Sequence, residues 1–178
     1  MPLTKLYLVR HGQSAKNVEG RFGGHSVTPL SDLGNSQAAI TAKTLKRERV
    51  SVIYSSDLPR AVQTAEPSSS LLDVYINKTK AFRERDVGVL EGLTFDEARE
   101  KYPKDYHDLI CRNINETVTG GESYRELLKR ATGALNEVLS AHRGKRIAVF
   151  SHTGTICFLS LYLMGAIHKS TISTPWLA

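Results

Sequence analysis

The chain has 178 residues, 40% hydrophobic and 24% charged, with a net charge of +6. That length suits one domain, and a chain of this size buries roughly 70% of its unfolded surface without a covalent staple. Two cysteines, Cys111 and Cys157, neither in a CxxC, exclude a disulfide framework and a cysteine-rich zinc site, and no apolar run reaches the roughly 20 residues of a membrane helix.

The N-terminus has one lysine before an apolar stretch that Arg10 breaks, which is too short and too charged for a signal peptide. A reduced, cytoplasmic chain is expected, without membrane association. The basic balance favours anionic partners. Lysines and arginines are dispersed, so a nucleic-acid-binding arm is not indicated.

In chain order, residues 3–9 read as a buried strand. Residues 10–30, rich in glycine and holding Pro29, read as a long functional loop. A helix is predicted from near Ser31 to about Glu48, with Ala38, Ala39, Ala42 and Leu45 on one face. Val50 to Ser55 is a second buried strand. Asp57 is placed to cap the next helix, Pro59 suits its first turn, and Pro67 interrupts or ends it. Residues 73–82 read as a weak strand. Thr94 with Glu97 and Ser123 with Glu126 are capping boxes, opening a short helix and a long one that reaches about His142. The stripe Leu127, Leu128, Ala131, Leu135, Val138 and Leu139 marks the core face of the long one. Ile147 to Phe150 is a third buried strand, followed by Ser151-His152-Thr153-Gly154 and a final apolar helix over roughly 154–165.

Strands that are continuous apolar runs, alternating with helices, predict a single-domain three-layer α/β/α sandwich over residues 1–178, with a mostly parallel central sheet. In such sheets ligands sit beyond the carboxyl ends of the strands. Arg10 and His11, Ser55-Ser56-Asp57, and His152 all fall at such ends.

Gathered in one crevice, Arg10, His11, Arg60 and His152 suit phosphoryl chemistry. Guanidinium groups match phosphate oxygens, often bidentately. A neutral imidazole can attack phosphorus, and a second one can stabilise the charge that develops. Gly12 lets backbone approach closely, and a helix opening after His152 adds N–H donors. The arginines supply the positive charge, so no metal and no cofactor is expected.

Six blocks extend this set. They are Leu8-Val9-Arg10-His11-Gly12-Gln13-Ser14 with Asn17, Pro29-Leu30-Ser31 with Gly34, Ser55 to Ala65, Phe82-Arg83-Glu84 with Gly88 and Glu91-Gly92, Gly120 to Ser123, and Ser151 to Gly154. In type and order they resemble the histidine phosphatase superfamily, in the branch of cofactor-dependent phosphoglycerate mutases and small phosphatases. The resemblance implies that His11 is the phosphorylated nucleophile and that Arg10, Arg60 and His152 hold the phosphoryl group. It implies Glu84 as the proton donor to the leaving oxygen, and hydrogen bonds to phosphate from Asn17 and the Thr153 amide. Gln13, Ser14, Gly23 and Gly24 fall where that family shapes its substrate pocket. Arg83 and Arg85 flank Glu84, so an acidic operating range is a further expectation.

The family's mutases carry a long insertion after the acidic block with an adjacent arginine pair. Here Thr94 to Thr119 is short and holds the isolated Arg112 without an Arg-Arg pair. Hydrolysis of a small phosphorylated metabolite is therefore the leading expectation. A phosphoglycerate mutase is the second, and a non-catalytic phosphoanion-binding module the third. The assembly is left open, with a homodimer as one outcome. His25, His107, His142 and His168 read as surface residues, Arg21 as a solvated loop residue, and Cys157 as core packing. Glu91 is the rival of Glu84, and the tail after Gly165 is short.

Overall fold

Ile147, Ala148, Val149 and Phe150 are all fully buried, which needs a layer of helices on each side of their strand. Ile147 and Val149 pack with Phe82, Ala131, Leu135 and Leu159 on one face. Ala148 and Phe150 pack with Leu45, Ile53, Ala65 and Ile76 on the other. The structure, a computed structural model, describes residues 3–111 and 114–167. Arg112, His168 and the chain beyond residue 167 lie outside the described residues.

Four parallel strands, β1 (Lys5–Arg10), β2 (Val52–Ser56), β3 (Ile76–Thr79) and β4 (Arg146–Ser151), form one sheet in the order β1-β4-β2-β3. The helices are α1 (Ala15–Val18), α2 (Asp32–Arg47), α3 (Pro59–Leu72), α4 (Phe95–Lys101), α5 (Pro103–Ile110), α6 (Tyr124–Ala141) and α7 (Thr153–Leu163). Buried Ala42 and Leu45 of α2 and Ala61 and Ala65 of α3 belong to one layer, and the stripe of α6 with Leu159 of α7 to the other. This is the expected three-layer mixed α/β fold. Among the described residues no helix is long and apolar enough to cross a membrane.

Both predicted capping boxes form. The hydroxyls of Thr94 and Ser123 accept from the N–H of Glu97 and Glu126, whose carboxylates accept in return. Three local expectations are corrected. Asp57 does not cap α3. Leu58 holds that position, and the Asp57 carboxylate instead takes two bonds from Arg83, each of 2.6 Å. Pro67 does not end α3, which runs on to Leu72. Losing one N–H costs a single helical bond, and packing of α3 against α2 and the sheet outweighs it. The stretch after Thr94 makes two helices, because Pro103 opens a second at its first position.

The loop after β1 is held by close backbone contact. The Ser31 N–H donates to Gln13 O at 2.9 Å, and Ala15 N–H to Pro29 O at 3.1 Å. A Cβ on Gly12 would lie 2.5 Å from Gly34 O, and one on Gly34 would overlap Gln13 O. The two glycines let α2 start directly against the strand end that carries His11. Gly34→Ala must therefore force apart residues 12–14 and the first turn of α2. We expect a loss of about 1–3 kcal/mol in urea unfolding, as for an overpacked core.

Candidate active site

The strand ends converge as expected. The His11 N–H donates to Ser151 O at 3.0 Å, tying the end of β1 to the end of β4. The His11 ring lies 5.1 Å from the His152 ring, centroid to centroid, at 59°. His152 Nε2 is 2.9 Å from the hydroxyl of Ser56, the last residue of β2. His152 Nδ1 is buried and has no partner among the described residues.

His11 Nδ1 sits 2.7 Å from Gly12 O. A carbonyl oxygen only accepts, so Nδ1 carries the hydrogen and Nε2 bears the lone pair. Nε2 in turn accepts from Arg60 Nε at 3.3 Å. Burial, the largest influence, pulls His11 down to about 4, against the upward pull of the Gly12 bond and with Arg60 and Arg10 adding to the depression. Burial, then the charges of Arg60 and His11, hold His152 well below the usual imidazole range. Both rings are neutral at neutral pH.

Arg60, in the first turn of α3, is 3% exposed. Its NH1 donates to Ser26 O at 3.0 Å and its NH2 to Gly24 O at 2.7 Å. Burial lowers its pKa, and the charges of Glu84 and Glu91 oppose that. Thr64 braces the arrangement, donating to Arg60 O at 2.6 Å and accepting from Gly12 N at 3.0 Å. Arg10 ends β1 exposed. It lines a cleft of about 570 Å³ with His11, Gly12, Gln13, Asn17 and Gln37. Arg60, Glu84 and His152 do not line this cleft.

Glu84 caps α7 from a distant part of the chain. His152 gives that helix no side-chain cap, and the Glu84 carboxylate accepts from Gly154 N at 3.0 Å, Thr155 N at 3.2 Å and Arg85 N at 3.0 Å. A Cβ on Gly154 would lie 2.5 Å from Glu84 Oε1, so only glycine fits there beside the undisplaced carboxylate. The flanking arginines turn to other partners. Arg83 binds Asp57, while Arg85 donates to Glu122 O and Glu116 O and covers the Tyr124 ring at 3.9 Å. Both flanking guanidinium groups thus have partners other than the Glu84 carboxylate.

Comparison with known proteins bears on this constellation. Residues 6–174 match the histidine phosphatase superfamily (branch 1). The chain belongs to that superfamily. It is 36% identical to a metal-independent phosphoserine phosphatase of Arabidopsis thaliana over 157 residues, covering 86% of this chain and 66% of the relative. It therefore spans about two thirds of the length of that protein. It is 34% identical to phosphoserine phosphatase 1 of Hydrogenobacter thermophilus over 163 residues, covering 92% of this chain and 77% of the relative. The mycobacterial glucosyl-3-phosphoglycerate phosphatase superposes with a TM-score of 0.82 at 28% identity, over 90% of this chain and 80% of that one. The family and these relatives support a phosphatase of the histidine type.

In this member of the superfamily, the remaining predicted residues take distinct places. Gln13 donates its N–H to Gln37 Oε1 at 2.8 Å and accepts from the Ser31 hydroxyl at 2.8 Å. Ser14 is buried as the N-cap of α1, its hydroxyl donating to Asn17 Oδ1 at 3.0 Å. Asn17 is exposed at the cleft. Gly23 would place a Cβ 3.7 Å from Arg60 NH2, and Gly24 gives Arg60 its carbonyl. Thr153 is exposed at the first position of α7. Glu91 faces the loop, accepting from His25 N at 2.8 Å.

Sequence reasoning passed over Ser56, Arg130, Thr155 and His25. Ser56 stood in a quoted block without a role. His25 is not a surface residue, since its ring is half-buried and reaches Glu84 O at 2.8 Å. His142 is likewise half-buried, 3.2 Å from the Tyr54 hydroxyl. Arg21 is not merely solvated, because it donates to Glu97 at 2.8 Å and to Gly92 O at 2.9 Å.

The depressed pKa of His11 has a sign that can be tested. Between its ordinary 6.5 and about 4, the unfolded chain binds a proton that the folded chain refuses. This contribution to stability is complete above that window and is lost as pH falls through it. His152 acts in the same direction. Urea midpoints should fall from pH 7 to pH 4.5, and less steeply in His11→Asn.

Proposed function

We propose that the chain is a metal-independent phosphomonoesterase working through a phosphohistidine at His11 Nε2. One observation carries the reading. His11 is neutral, its Nδ1 hydrogen is engaged by Gly12 O, and its Nε2 lone pair stands beside the Arg60 guanidinium and the His152 ring.

In the first step the Nε2–P bond forms as the P–O bond to the leaving group breaks, and Glu84 gives its proton to the leaving oxygen. The Arg60 Nε–H that now rests on Nε2 turns to a phosphoryl oxygen. Arg10 and the Nδ1–H of His152 hold the others, with the amides of Asn17 and Thr153 adding bonds. His152 donates there in the tautomer in which its Nε2 accepts from the Ser56 hydroxyl, 2.9 Å away. In the second step water attacks phosphorus, its proton passes to Glu84, and the N–P bond breaks to release phosphate. Ser14 acts by fixing the Asn17 amide, and Gln13, Gly23 and Gly24 shape the walls. The arginines neutralise the transferred group, which is why no metal is needed.

Water rather than a second phosphoglycerate is the acceptor in this reading, because Thr94 to Thr119 is short and without an arginine pair. Phosphoserine is the first ester to try, given the two phosphatases named for it among the relatives.

The test is a substrate panel with a chelator present, including phosphoserine and 3-phosphoglycerate with and without a bisphosphoglycerate primer. Chelator-insensitive release of phosphate and no primer dependence are expected. His11→Ala should abolish turnover and acid-labile phosphate labelling. Glu84→Gln should lose about 10²–10⁴ in kcat on alkyl phosphates. Primer-dependent transfer without release would replace the reading with the mutase.

A further inference from the structure

We propose that His25 is a positioning residue that holds the Arg60 clamp and the Glu84 proton donor in one register. The proposal rests on the reading of Glu84 as that donor.

His25 lies between the two loop residues that engage Arg60. Gly24 O takes the guanidinium NH2 at 2.7 Å and Ser26 O takes NH1 at 3.0 Å. Its ring faces the other way. Nε2 is 2.8 Å from Glu84 O, so Nε2 carries a hydrogen and donates it to the backbone of the residue whose carboxyl does the work. Nδ1 is 3.4 Å from Asp86 Oδ2. The backbone N–H of His25 is fixed at 2.8 Å on Glu91 Oε2. Three consecutive loop residues thus grip Arg60 through carbonyls and Glu84 through an imidazole.

The loop sits hard on the turn beneath it. Gly24 has φ +46°, and a Cβ there would lie 2.7 Å from Glu91 Oε2 and 2.8 Å from Val87 Cγ2. Arg130 of α6 holds the same backbone as well. It donates to Ala81 O at 2.8 Å, Arg83 O at 3.0 Å and Glu84 O at 2.8 Å, and pairs with Glu122. Arg130 anchors the segment to the core of the fold, whereas His25 joins it to the loop over Arg60. Moving the loop moves both the phosphoryl clamp and the Glu84 backbone. Displacements of about 1 Å in such groups cost up to about 10²-fold in rate.

The experiment compares leaving groups. Nitrophenolate departs without a proton, whereas an alkoxide needs one, so the ratio of kcat on glycerol 2-phosphate to kcat on p-nitrophenyl phosphate reads the proton donor. That ratio is independent of how much of a variant is folded. His25→Ala should lower the ratio about tenfold and raise KM for both esters through Arg60. His25→Gln, whose amide N–H can reach Glu84 O, should restore most of the ratio. Glu84→Gln should lower it further than either. Equal losses on both esters in His25→Ala, with Glu84→Gln still discriminating, would overturn the proposal and leave Glu84 in its role. No discrimination in Glu84→Gln would remove Glu84 as donor, and the proposal with it.

Discussion

The bond from His11 Nδ1–H to the Gly12 carbonyl is the contact on which the site depends. It is local, between neighbouring residues, and it selects one tautomer of a buried ring. With the other tautomer Nε2 would carry the hydrogen and have no lone pair to offer. The Gly12 carbonyl belongs to the peptide whose N–H, that of Gln13, is held by Gln37 of α2, and the Gly12 N–H just before it is held by Thr64 of α3. Burial then keeps the ring neutral, the state that a nucleophilic imidazole needs.

Around this bond the fold works by bringing three parallel strand ends to one edge of the sheet. β1 supplies Arg10 and leads into His11, β2 supplies Ser56, and β4 leads into His152. The three strand ends are far apart in sequence, and their positions follow from the register in which Arg10 pairs with Ser151 and Ser55 with Phe150. A shift of one residue would turn each side chain to the opposite face.

Much of this was legible in the chain. The apolar runs marked the strands, the capping boxes marked α4 and α6, and the quoted blocks marked His11, Arg60, Glu84 and His152. What was not legible depends on contacts between distant segments. Asp57 has the chemistry of a helix cap, and only the approach of Arg83 diverts it. Arg83 and Arg85 look like partners of the Glu84 carboxyl, yet their guanidinium groups go to Asp57, Glu122 O and the Tyr124 ring. His25 looks like a loop histidine because the atom it meets is a backbone carbonyl 59 residues away, and backbone atoms leave no trace in side-chain patterns.

The capping of α7 by Glu84 gives that carboxyl a structural occupation. By accepting from the amides of Gly154 and Thr155 it ties the opening turn of the helix to a segment some 70 residues earlier in the chain. Whatever displaces the backbone around Glu84 therefore reaches the helix that His152 opens, so two distant stretches of the chain share one mechanical fate.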